Sequence, residues 1–316
     1  MELPLVSIII PTFNQEEFVA RAIEGALAQK YSNLEIIVAD DNSSDKTSEI
    51  VKSYLSTVRI KLFENKPRLG RVANYRKCLY DYAQGDFAIV CDGDDYFENP
   101  NFISDAIEKI GRLSSFESIA FFQGGHRMLF ESSGNIRTCI PSIESENHLY
   151  KPYEYLFNFN NINHFSHLAT LYNRGKALES EFYIENILST DMDSILRLSL
   201  KGDVILSKSI AGVWFQHGTN ASGTASVEKL VENLKWIENV KQFAYNIGEQ
   251  KCNIKRWASR TKSAELASLL YYKGLKLKNE GNFKAVFMLF IKILNENPCI
   301  LFRPVFIKKS IDLIIK

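Results

Sequence analysis

The chain has 316 residues, of which 46% are hydrophobic and 24% are charged, and its net charge is +1. This composition excludes a wholly disordered or collagen-like chain, and the length suits one large domain with an appendage or two domains. Charge is unevenly distributed, because residues 1–250 carry 33 acidic and 24 basic side chains whereas residues 251–316 carry 4 and 14. We therefore expect an acidic body followed by a basic tail.

The first 100 residues alternate short apolar runs with helical spacing. The predicted order is strand Leu5–Ile10, helix Glu16–Gln29, strand Leu34–Ala39, helix Asp45–Leu55, strand Val58–Phe63, helix Gly70–Ala83 and strand Phe87–Cys91. Continuous apolar strands that alternate with helices are typical of a parallel sheet covered on both faces. The sequence therefore predicts an α/β fold in which ligands bind beyond the carboxyl ends of the strands.

The pattern changes along the rest of the chain. Residues 115–222 mix strand-like runs with short helices, and beyond residue 224 only helical patterns occur. We place a soft domain boundary near residue 222. The predicted elements are strands Ile119–Gln123, His167–Tyr172 and Ile210–Phe215, and helices Asp191–Leu200, Val227–Ile247, Ile254–Glu280, Phe283–Asn295 and Phe306–Ile315.

Cysteine usage and the N-terminus both favour a cytoplasmic protein. The five cysteines are widely spaced and form no CxxC pair, which makes a disulfide framework or a thiolate zinc site improbable. The N-terminal apolar run lacks a basic region before it and soon meets Pro11, so it is interpreted as a buried strand rather than a signal peptide. The longest apolar stretch of the tail is shorter than the roughly 20 residues that a membrane-spanning helix needs.

Three carboxylates follow the fourth predicted strand, in the segment Asp92-Gly93-Asp94-Asp95. Like charges this close repel one another unless a cation or hydrogen-bond donors offset them. A divalent cation with oxygen ligands, such as Mg²⁺, suits this cluster and would keep waters and bind substrate phosphates. The alternative interpretation is an acidic turn in which Asp95 caps a helix.

Two further polar segments follow strands two and three. Asp40–Thr47 begins with two acids after a buried strand, and its later residues suit a helix cap. Arg68 and Arg71 lie near a predicted helix start, where arginine and the helix N-terminus both suit phosphate, although solvated surface arginines are an equal alternative. Neither acidic cluster resembles a GxGxxG or Walker loop, which argues against a dinucleotide-binding or P-loop protein.

Three motifs in this order resemble family-two glycosyltransferases of the GT-A fold. They are the segment Pro11–Thr47, the segment Asn65–Asn74 with its Gly-Arg-Val-Ala-Asn ending, and Cys91–Asp95. The resemblance covers about residues 1–222, and it is stronger in the first 100. It implies a nucleotide-binding half at 1–100 and an acceptor half at 101–222. The basic helical region at 223–316, predicted from its helical patterns, lies outside the resemblance.

The resemblance also assigns donor contacts. Pro11, Thr12 and Phe13 are expected to line the nucleoside pocket. Asp41 is expected to accept a hydrogen bond from the base, typically N3 of uracil or thymine. Arg71, or less favourably Arg68, is expected to lie near the nucleotide.

The DxD signature of the family corresponds to Asp92-Gly93-Asp94. The resemblance places Asp92 near the ribose and Asp94 on Mg²⁺ or Mn²⁺, with Asp95 on the acceptor side or behind the metal site. The segment that begins at Trp214 resembles the Tyr-Arg-x-His segment of the family and makes His217 a metal ligand or a diphosphate contact. Phe215 stands where the family usually has arginine, which puts that phosphate contact in doubt.

A Glu-Asp pair that opens a helix supplies the catalytic base in the family, and residues 188–207 resemble that segment. Asp191 corresponds to the base, Thr190 replaces the preceding acid, and Asp193 is the fallback. An acid in the first turn of a helix is also favoured by the helix dipole alone.

The resemblance implies an inverting, metal-dependent transfer of a sugar from a UDP- or dTDP-linked donor to a hydroxyl of a glycan or lipid-linked saccharide, in surface polysaccharide synthesis. The basic helices of 251–316 suit an anionic membrane surface, which would make the protein peripheral on the inner face of the plasma membrane; a solvated face packed on the catalytic domain is the alternative. Nucleic acid is not an expected partner, since no recognised motif accompanies the charge. A nucleotidyltransferase and a non-catalytic scaffold remain as alternatives.

Overall fold

The computed structural model describes residues 3–162, 165–218, 226–248 and 251–315. It divides into two compact units, Met1–Asn186 with Thr190–Asn220, and Ile187–Ser189 with Ala221–Lys316. The predicted boundary at residue 222 lies outside the described residues.

The first unit is an α/β unit with one large sheet. Its strands are β1 Val6–Thr12, β2 Leu34–Asp40, β3 Ile60–Glu64, β4 Phe87–Val90, β5 Tyr96–Phe97, β6 Ile119–Phe130, β7 Ile136–Cys139, β8 Asn147–Tyr150, β9 Thr170–Asn173 and β10 Asp203–Gln216. Its helices are α1 Val19–Leu27, α2 Thr47–Ser53, α3 Arg71–Lys77, α4 Phe102–Leu113, α5 Glu154–Ile162, α6 Arg174–Glu179 and α7 Thr190–Leu198.

The sheet has the order β3-β2-β1-β4-β9-β6-β10-β5, with β7 beside β6 and β8 beside β10. Strands β1 to β4 are parallel, whereas β9 is antiparallel to both of its neighbours. Every residue of β1, β2 and β4 is buried, as continuous apolar strands covered on both faces require. The predicted α/β architecture is therefore confirmed.

Strand order reverses beside β1, because β2 and β3 lie on one side of it and β4 lies on the other. In open α/β sheets such a switch point leaves a crevice at the carboxyl ends of the two central strands, where ligands bind. The loops that follow β1, β2 and β4 are therefore placed where a ligand site is expected.

Two of the predicted helices are interrupted. The pattern at Gly70–Ala83 forms α3 and then a π-helical turn, Cys78–Tyr82, in which the Ala83 amide donates to the Cys78 carbonyl oxygen at 2.9 Å. The pattern at Val227–Ile247 forms two helices separated by Asn233 and Leu234, and the Asn233 side chain bonds both the amide and the hydroxyl of Ser189.

The second unit is helical and has a core of its own. Its helices are α8 Val227–Glu232, α9 Lys235–Asn246, α10 Lys251–Asn279, α11 Phe283–Glu296 and α12 Pro304–Ile315, with a 3-10 segment at Pro298–Phe302. Leu270, Ile293 and Phe306 belong to its apolar cluster. Among the described residues, none of the helices combines the length and the apolar character that a membrane span requires.

Candidate active site

The loops after β1, β2 and β4 are held together by backbone hydrogen bonds that continue past the strands. The Asp41 amide donates to the Thr12 carbonyl at 2.9 Å, and the Gly93 amide donates to the Pro11 carbonyl at 3.3 Å. A Cβ at residue 93 would lie 2.2 Å from Gln15 Oε1 and 3.0 Å from Thr12 Oγ1. Glycine at the centre of the acidic segment therefore lets the loop after β4 approach the loop after β1.

The predicted nucleoside residues lie together at this edge. Pro11 and Thr12 are buried at the end of β1, and Phe13 is partly exposed beyond it. The Arg68 guanidinium lies 3.5 Å from the centre of the Phe13 ring. Phe13 thus presents an aromatic face beside the loop, and Arg68 covers that face.

Asp41 is buried and its carboxylate is already extensively bonded. It accepts hydrogen bonds from the Leu69 and Gly70 amides, both at 2.8 Å, and from Asn65 Nδ2 at 3.3 Å. Arg68 Nε lies 3.5 Å from Asp41 Oδ2. A carboxylate offers about four lone-pair sites, so little capacity is left for a base. In this structure Asp41 ties the 65–70 loop to β2.

The rest of the segment after β2 connects to the start of α2. Asp45 Oδ1 accepts from the Thr47 amide at 3.0 Å, and Asp45 Oδ2 accepts from the Glu16 amide at 3.1 Å. Asp45 therefore bonds the first residue of α2 and joins it to the loop after β1, whereas the N-cap position itself is occupied by Lys46.

The acidic residues after β4 occupy different environments. Burial, and then the charge of Asp94, raises the pKa of Asp92 to about 7, although a hydrogen bond from Tyr75 and the charge of Arg71 act in the opposite direction. Burial and the two neighbouring charges also raise the pKa of Asp95 well above its usual range. Asp95 Oδ1 accepts the Phe215 amide at 2.9 Å, so this side chain fastens β10 behind the site.

Asp94 and His217 meet although they are far apart in the chain. Asp94 Oδ2 lies 2.8 Å from His217 Nε2, and both side chains are largely buried. The imidazole also packs beside the rings of Phe18 and Phe215. A cleft of about 460 Å³ opens here, lined by residues 14–18, Asp45, Glu131, His217 and Gly218.

We tested whether these residues suit a divalent cation. Within the described ranges, no group of three or more His, Cys, Asp or Glu side chains is arranged to hold a metal. However, a carboxylate and an imidazole converge, and the buried oxygens Thr12 Oγ1 and Gln15 Oε1 beside Gly93 have no hydrogen-bond partner among the described residues. The donor set therefore fits a cation that takes its remaining ligands from a diphosphate and water, as Mg²⁺ commonly does.

The two acids of α7 are clearly distinguished by the structure. Asp191 is partly exposed in the first turn, and its charge contributes to the raised pKa of Asp92 and partly opposes the lowering of the His167 pKa by burial. Asp193 is fully buried and lies 2.6 Å from Arg197 Nη2. Asp191 thus faces the acidic loop after β4, whereas Asp193 forms an ion pair inside the unit. Thr190, which replaces the family's acid, is buried.

Sequence reasoning missed two residues at this site. Tyr75 donates a hydrogen bond from its hydroxyl to Asp92 Oδ1. The Arg21 guanidinium lies 4.2 Å from the Tyr96 ring centre and 4.8 Å from that of Phe215, and its Nη2 donates to the Asp94 carbonyl at 3.1 Å. Both residues lie on helices with ordinary amphipathic spacing, so no local signal distinguishes them.

Comparison with known proteins identifies the family of the chain. Residues 7–178, more than half of the chain, match the family described as glycosyl transferase family 2. The chain belongs to this family. The resemblance inferred from the three motifs is therefore confirmed.

Relatives and solved structures extend the comparison. Over 129 residues the chain is 34% identical to the Escherichia coli UDP-Glc:alpha-D-GlcNAc-diphosphoundecaprenol beta-1,3-glucosyltransferase WfgD, covering 41% of this chain and 48% of that protein. The chain spans between 34% and 48% of the length of three curated relatives that it matches.

Two solved structures share the fold at low sequence identity. Staphylococcus aureus TarS in complex with UDP-GlcNAc aligns with a TM-score of 0.62 and 17% identity, covering 84% of this chain and 72% of that one. The mannosyltransferase PcManGT from Pyrobaculum calidifontis, in complex with GDP-Man and Mn²⁺, aligns with a TM-score of 0.52 and 14% identity over 99% and 88% of the two chains. These likenesses confirm the GT-A fold of family-two enzymes.

Proposed function

We propose that the protein is an inverting glycosyltransferase that moves a sugar from a UDP- or dTDP-linked donor to a hydroxyl of a glycan or lipid-linked saccharide. The observation that carries this proposal is the convergence of Asp92, the Asp94–His217 pair and Asp191 at the carboxyl edge of the sheet. Membership of glycosyl transferase family 2 supports the proposal.

The donor side is assigned to the first 100 residues. Pro11, Thr12 and Phe13 would line the nucleoside pocket, and Arg71, which is exposed near Asp92, would approach the phosphates. For Asp41 to accept a hydrogen bond from the nucleotide base as well, the 65–70 loop would have to release one of the hydrogen bonds that its amides donate to Asp41. Arg68 would have to leave the Phe13 face if a base is to stack there.

Asp94 and His217 would hold Mg²⁺ or Mn²⁺ together with diphosphate oxygens. A divalent cation bound there supplies positive charge opposite the negative charge that develops on the leaving diphosphate. Asp92 would bond the ribose, and Asp95 would keep β10 in place. A relative in fold binds Mn²⁺ with GDP-Man, which supports a divalent ion of this kind.

Asp191 would act as the general base. A carboxylate that takes the proton of the acceptor hydroxyl lets the oxygen attack the anomeric carbon while the bond to the diphosphate breaks on the opposite face. One base and one direct displacement give inversion at the anomeric carbon. The partly exposed position of Asp191 across from Asp92 suits this role, whereas the buried ion pair of Asp193 does not.

The acceptor half is assigned to 101–222 by the resemblance to the family, and a lipid-linked acceptor is supported by the name of the Escherichia coli relative, which acts on a diphosphoundecaprenol-linked sugar. An acceptor of that kind lies at a membrane surface. The helical region that follows, 223–316, exposes apolar side chains such as Phe287 and Ile314 and the lysines Lys276, Lys284 and Lys308. We propose that 251–316 binds anionic lipid and keeps a cytoplasmic enzyme peripheral on the inner face of the plasma membrane.

Flotation with vesicles that contain anionic lipid tests the membrane proposal. Lys276→Glu with Lys308→Glu should reduce binding to anionic vesicles, since each basic side chain near the surface contributes about 1 kcal/mol. Lys30→Glu with Arg59→Glu makes the same change of charge on exposed residues of the first unit and serves as the control. Equal flotation of both variants and the unaltered chain would remove the membrane from the proposal.

The activity test is a donor screen. The protein is incubated with UDP-, dTDP- and GDP-sugars, Mn²⁺ or Mg²⁺ and a lipid-linked saccharide, and the configuration of the product is determined by NMR. Acceptor-dependent release of the nucleotide diphosphate and an inverted product are expected. Retention of configuration would refute the one-base mechanism. Pyrophosphate release from a sugar phosphate and a nucleoside triphosphate would indicate a nucleotidyltransferase, and binding without turnover would indicate a scaffold.

A further inference from the structure

A cluster of three tyrosines and one histidine lies behind Asp92. Its members are Tyr75 on α3, His167 in the 3-10 turn His167–Ala169, Tyr172 on β9 and Tyr183 in the loop before α7. All three tyrosines are buried, and burial lowers the pKa of His167 to about 4, which keeps the imidazole neutral near pH 7. A buried hydroxyl group costs free energy unless it is hydrogen-bonded. Phenylalanine would avoid that cost at these positions, so the presence of tyrosine indicates a role for the hydroxyl groups.

Direct contacts connect the members of the cluster. The Tyr75 hydroxyl donates to Asp92, and the Tyr75 ring lies 6.0 Å from the His167 ring and 5.3 Å from the Tyr183 ring, centre to centre. Tyr172 Oη lies 2.6 Å from His167 Nδ1, and Tyr183 Oη lies 3.3 Å from the same nitrogen. The His167 imidazole therefore bonds the hydroxyls of Tyr172 and Tyr183 and packs near the ring of Tyr75, whose hydroxyl bonds Asp92.

The far end of the cluster is fastened to α7, the helix that carries Asp191. The Tyr183 amide donates to Ser194 Oγ at 2.8 Å, and Arg197 Nη1 donates to the Ser180 carbonyl at 2.7 Å. Tyr183 also has a φ of 59°, an uncommon conformation for a bulky residue that needs support from its surroundings. The loop at 180–183 is thus tied to the helix and aims one hydroxyl at His167.

We propose that Tyr75, His167 and Tyr183 form a positioning network that sets the orientation of Asp92 against the helix of Asp191. This inference rests on the proposed function, in which Asp92 bonds the donor and Asp191 activates the acceptor. The two carboxylates come from different parts of the chain, and misplacement by about 1 Å is enough to reduce turnover about a hundredfold. Packed rings and buried hydrogen bonds between them keep that separation constant.

The test is a double-mutant cycle with Tyr75→Phe and Tyr183→Phe. Each change removes one hydroxyl and leaves the ring in place. Tyr155→Phe is the matched control, because Tyr155 is also fully buried and its hydroxyl donates to Gln123 Oε1 at 3.0 Å elsewhere in the same unit. Thermal unfolding of all variants is measured beside kcat and the donor KM.

Tyr75→Phe should raise the donor KM roughly tenfold, the value expected for one hydrogen bond to a charged group. Tyr183→Phe should lower kcat with little change in donor KM. The fold loss of kcat/KM in the double variant should be smaller than the product of the two single fold losses. Tyr155→Phe should lower thermal stability to a similar extent and leave both constants unchanged. The network is overturned if the free-energy losses of the two single variants simply add in the double variant. It is also overturned if kcat and donor KM change no more than in Tyr155→Phe.

Failure of the proposed function is distinguishable from failure of the network. If the unaltered protein transfers no sugar from any donor, the proposed function fails, and the network is then judged by calorimetric affinity for UDP, which Tyr75→Phe should weaken and Tyr155→Phe should not. Absence of any such difference overturns it. If Tyr183→Phe does not fold, Tyr172→Phe replaces it, because that change removes the other hydroxyl at His167 Nδ1.

Discussion

The two acids of α7 offer a matched pair of substitutions with opposite expected effects. Asp191→Asn removes a charge from a partly exposed side chain whose oxygen bonds the neighbouring Met192 amide at 2.9 Å. Asp193→Asn removes a charge that is 0% exposed and lies 2.6 Å from Arg197, itself 3% exposed. Both changes preserve the size of the side chain, so the environment alone sets the result.

The structure allows both magnitudes to be derived. Asp191→Asn should change the free energy of unfolding by no more than about 1 kcal/mol, the usual value of an acid in the first turn of a helix. Loss of a general base should lower kcat by about 10²–10⁴-fold. Asp193→Asn removes the buried anion that pairs with the Arg197 guanidinium, and breaking a buried ion pair typically costs 3–5 kcal/mol. Glu181 Oε2 remains 3.6 Å from Arg197, so we expect the lower end, about 3 kcal/mol.

Urea unfolding and steady-state turnover, measured on both variants with a donor found by the screen, separate the two roles. Asp191→Asn should unfold at nearly the same urea concentration as the unaltered protein and retain affinity for the donor nucleotide. If its kcat stays within about tenfold of the original, a value below the usual contribution of general-base catalysis, Asp191 is not the base. If Asp193→Asn instead keeps its stability and loses turnover, the assignment of the two acids is reversed.

Three further substitutions test the metal, the sheet and a tight strand contact. Asp94→Asn and EDTA should each weaken metal-dependent binding of the nucleotide, and Asp105→Asn on α4 should not. Glu35→Gln should cost about 1–3 kcal/mol at pH 7, because this carboxylate accepts bonds from a hydroxyl, an amide and an ammonium group. Gly212→Ala should cost about 1–3 kcal/mol, since its Cβ would lie 2.1 Å from a backbone carbonyl of β5, whereas Gly175→Ala should be neutral.

Each of these three has a refuting outcome. Binding that is unchanged by EDTA would exclude the metal role of Asp94. Burial acts to raise the pKa of Glu35, but bonds from Lys61, Ser7 and the Gln84 amide outweigh it and lower that pKa below 4.5. Its stabilisation is therefore present above the unfolded-state pKa and lost as pH falls through the folded-state value. A difference between the unaltered protein and Glu35→Gln that persists unchanged through that range would contradict this account. Gly212→Ala at full stability would contradict the tight contact.

Much of the fold follows from local patterns in the sequence. The continuous apolar runs of β1, β2 and β4 require cover on both faces, and the helices between them supply it, so a parallel α/β sheet could be predicted. The acids after β4 also follow a strand end, where such sheets bind ligands. Ordered motifs then identified the family.

Tertiary structure decided the pairings within the site. Asp94 meets His217 across 123 positions of chain, and Asp191 and Asp193 differ only in which side of α7 is buried, so spacing alone could not separate them. The bonds that occupy Asp41 come from a loop 28 and 29 residues further on. Such contacts depend on how distant strands pack, because burial and partners determine what a carboxylate can do.

The sequence by itself determined the fold class, the family and the opposed charges of an acidic body and a basic tail. Only the folded chain decided which acid meets His217, which one is neutralised by an arginine, and which hydroxyl bonds Asp92. The physical reason is that hydrophobic periodicity is local, whereas the electrostatic environment of a side chain is set by every element packed against it.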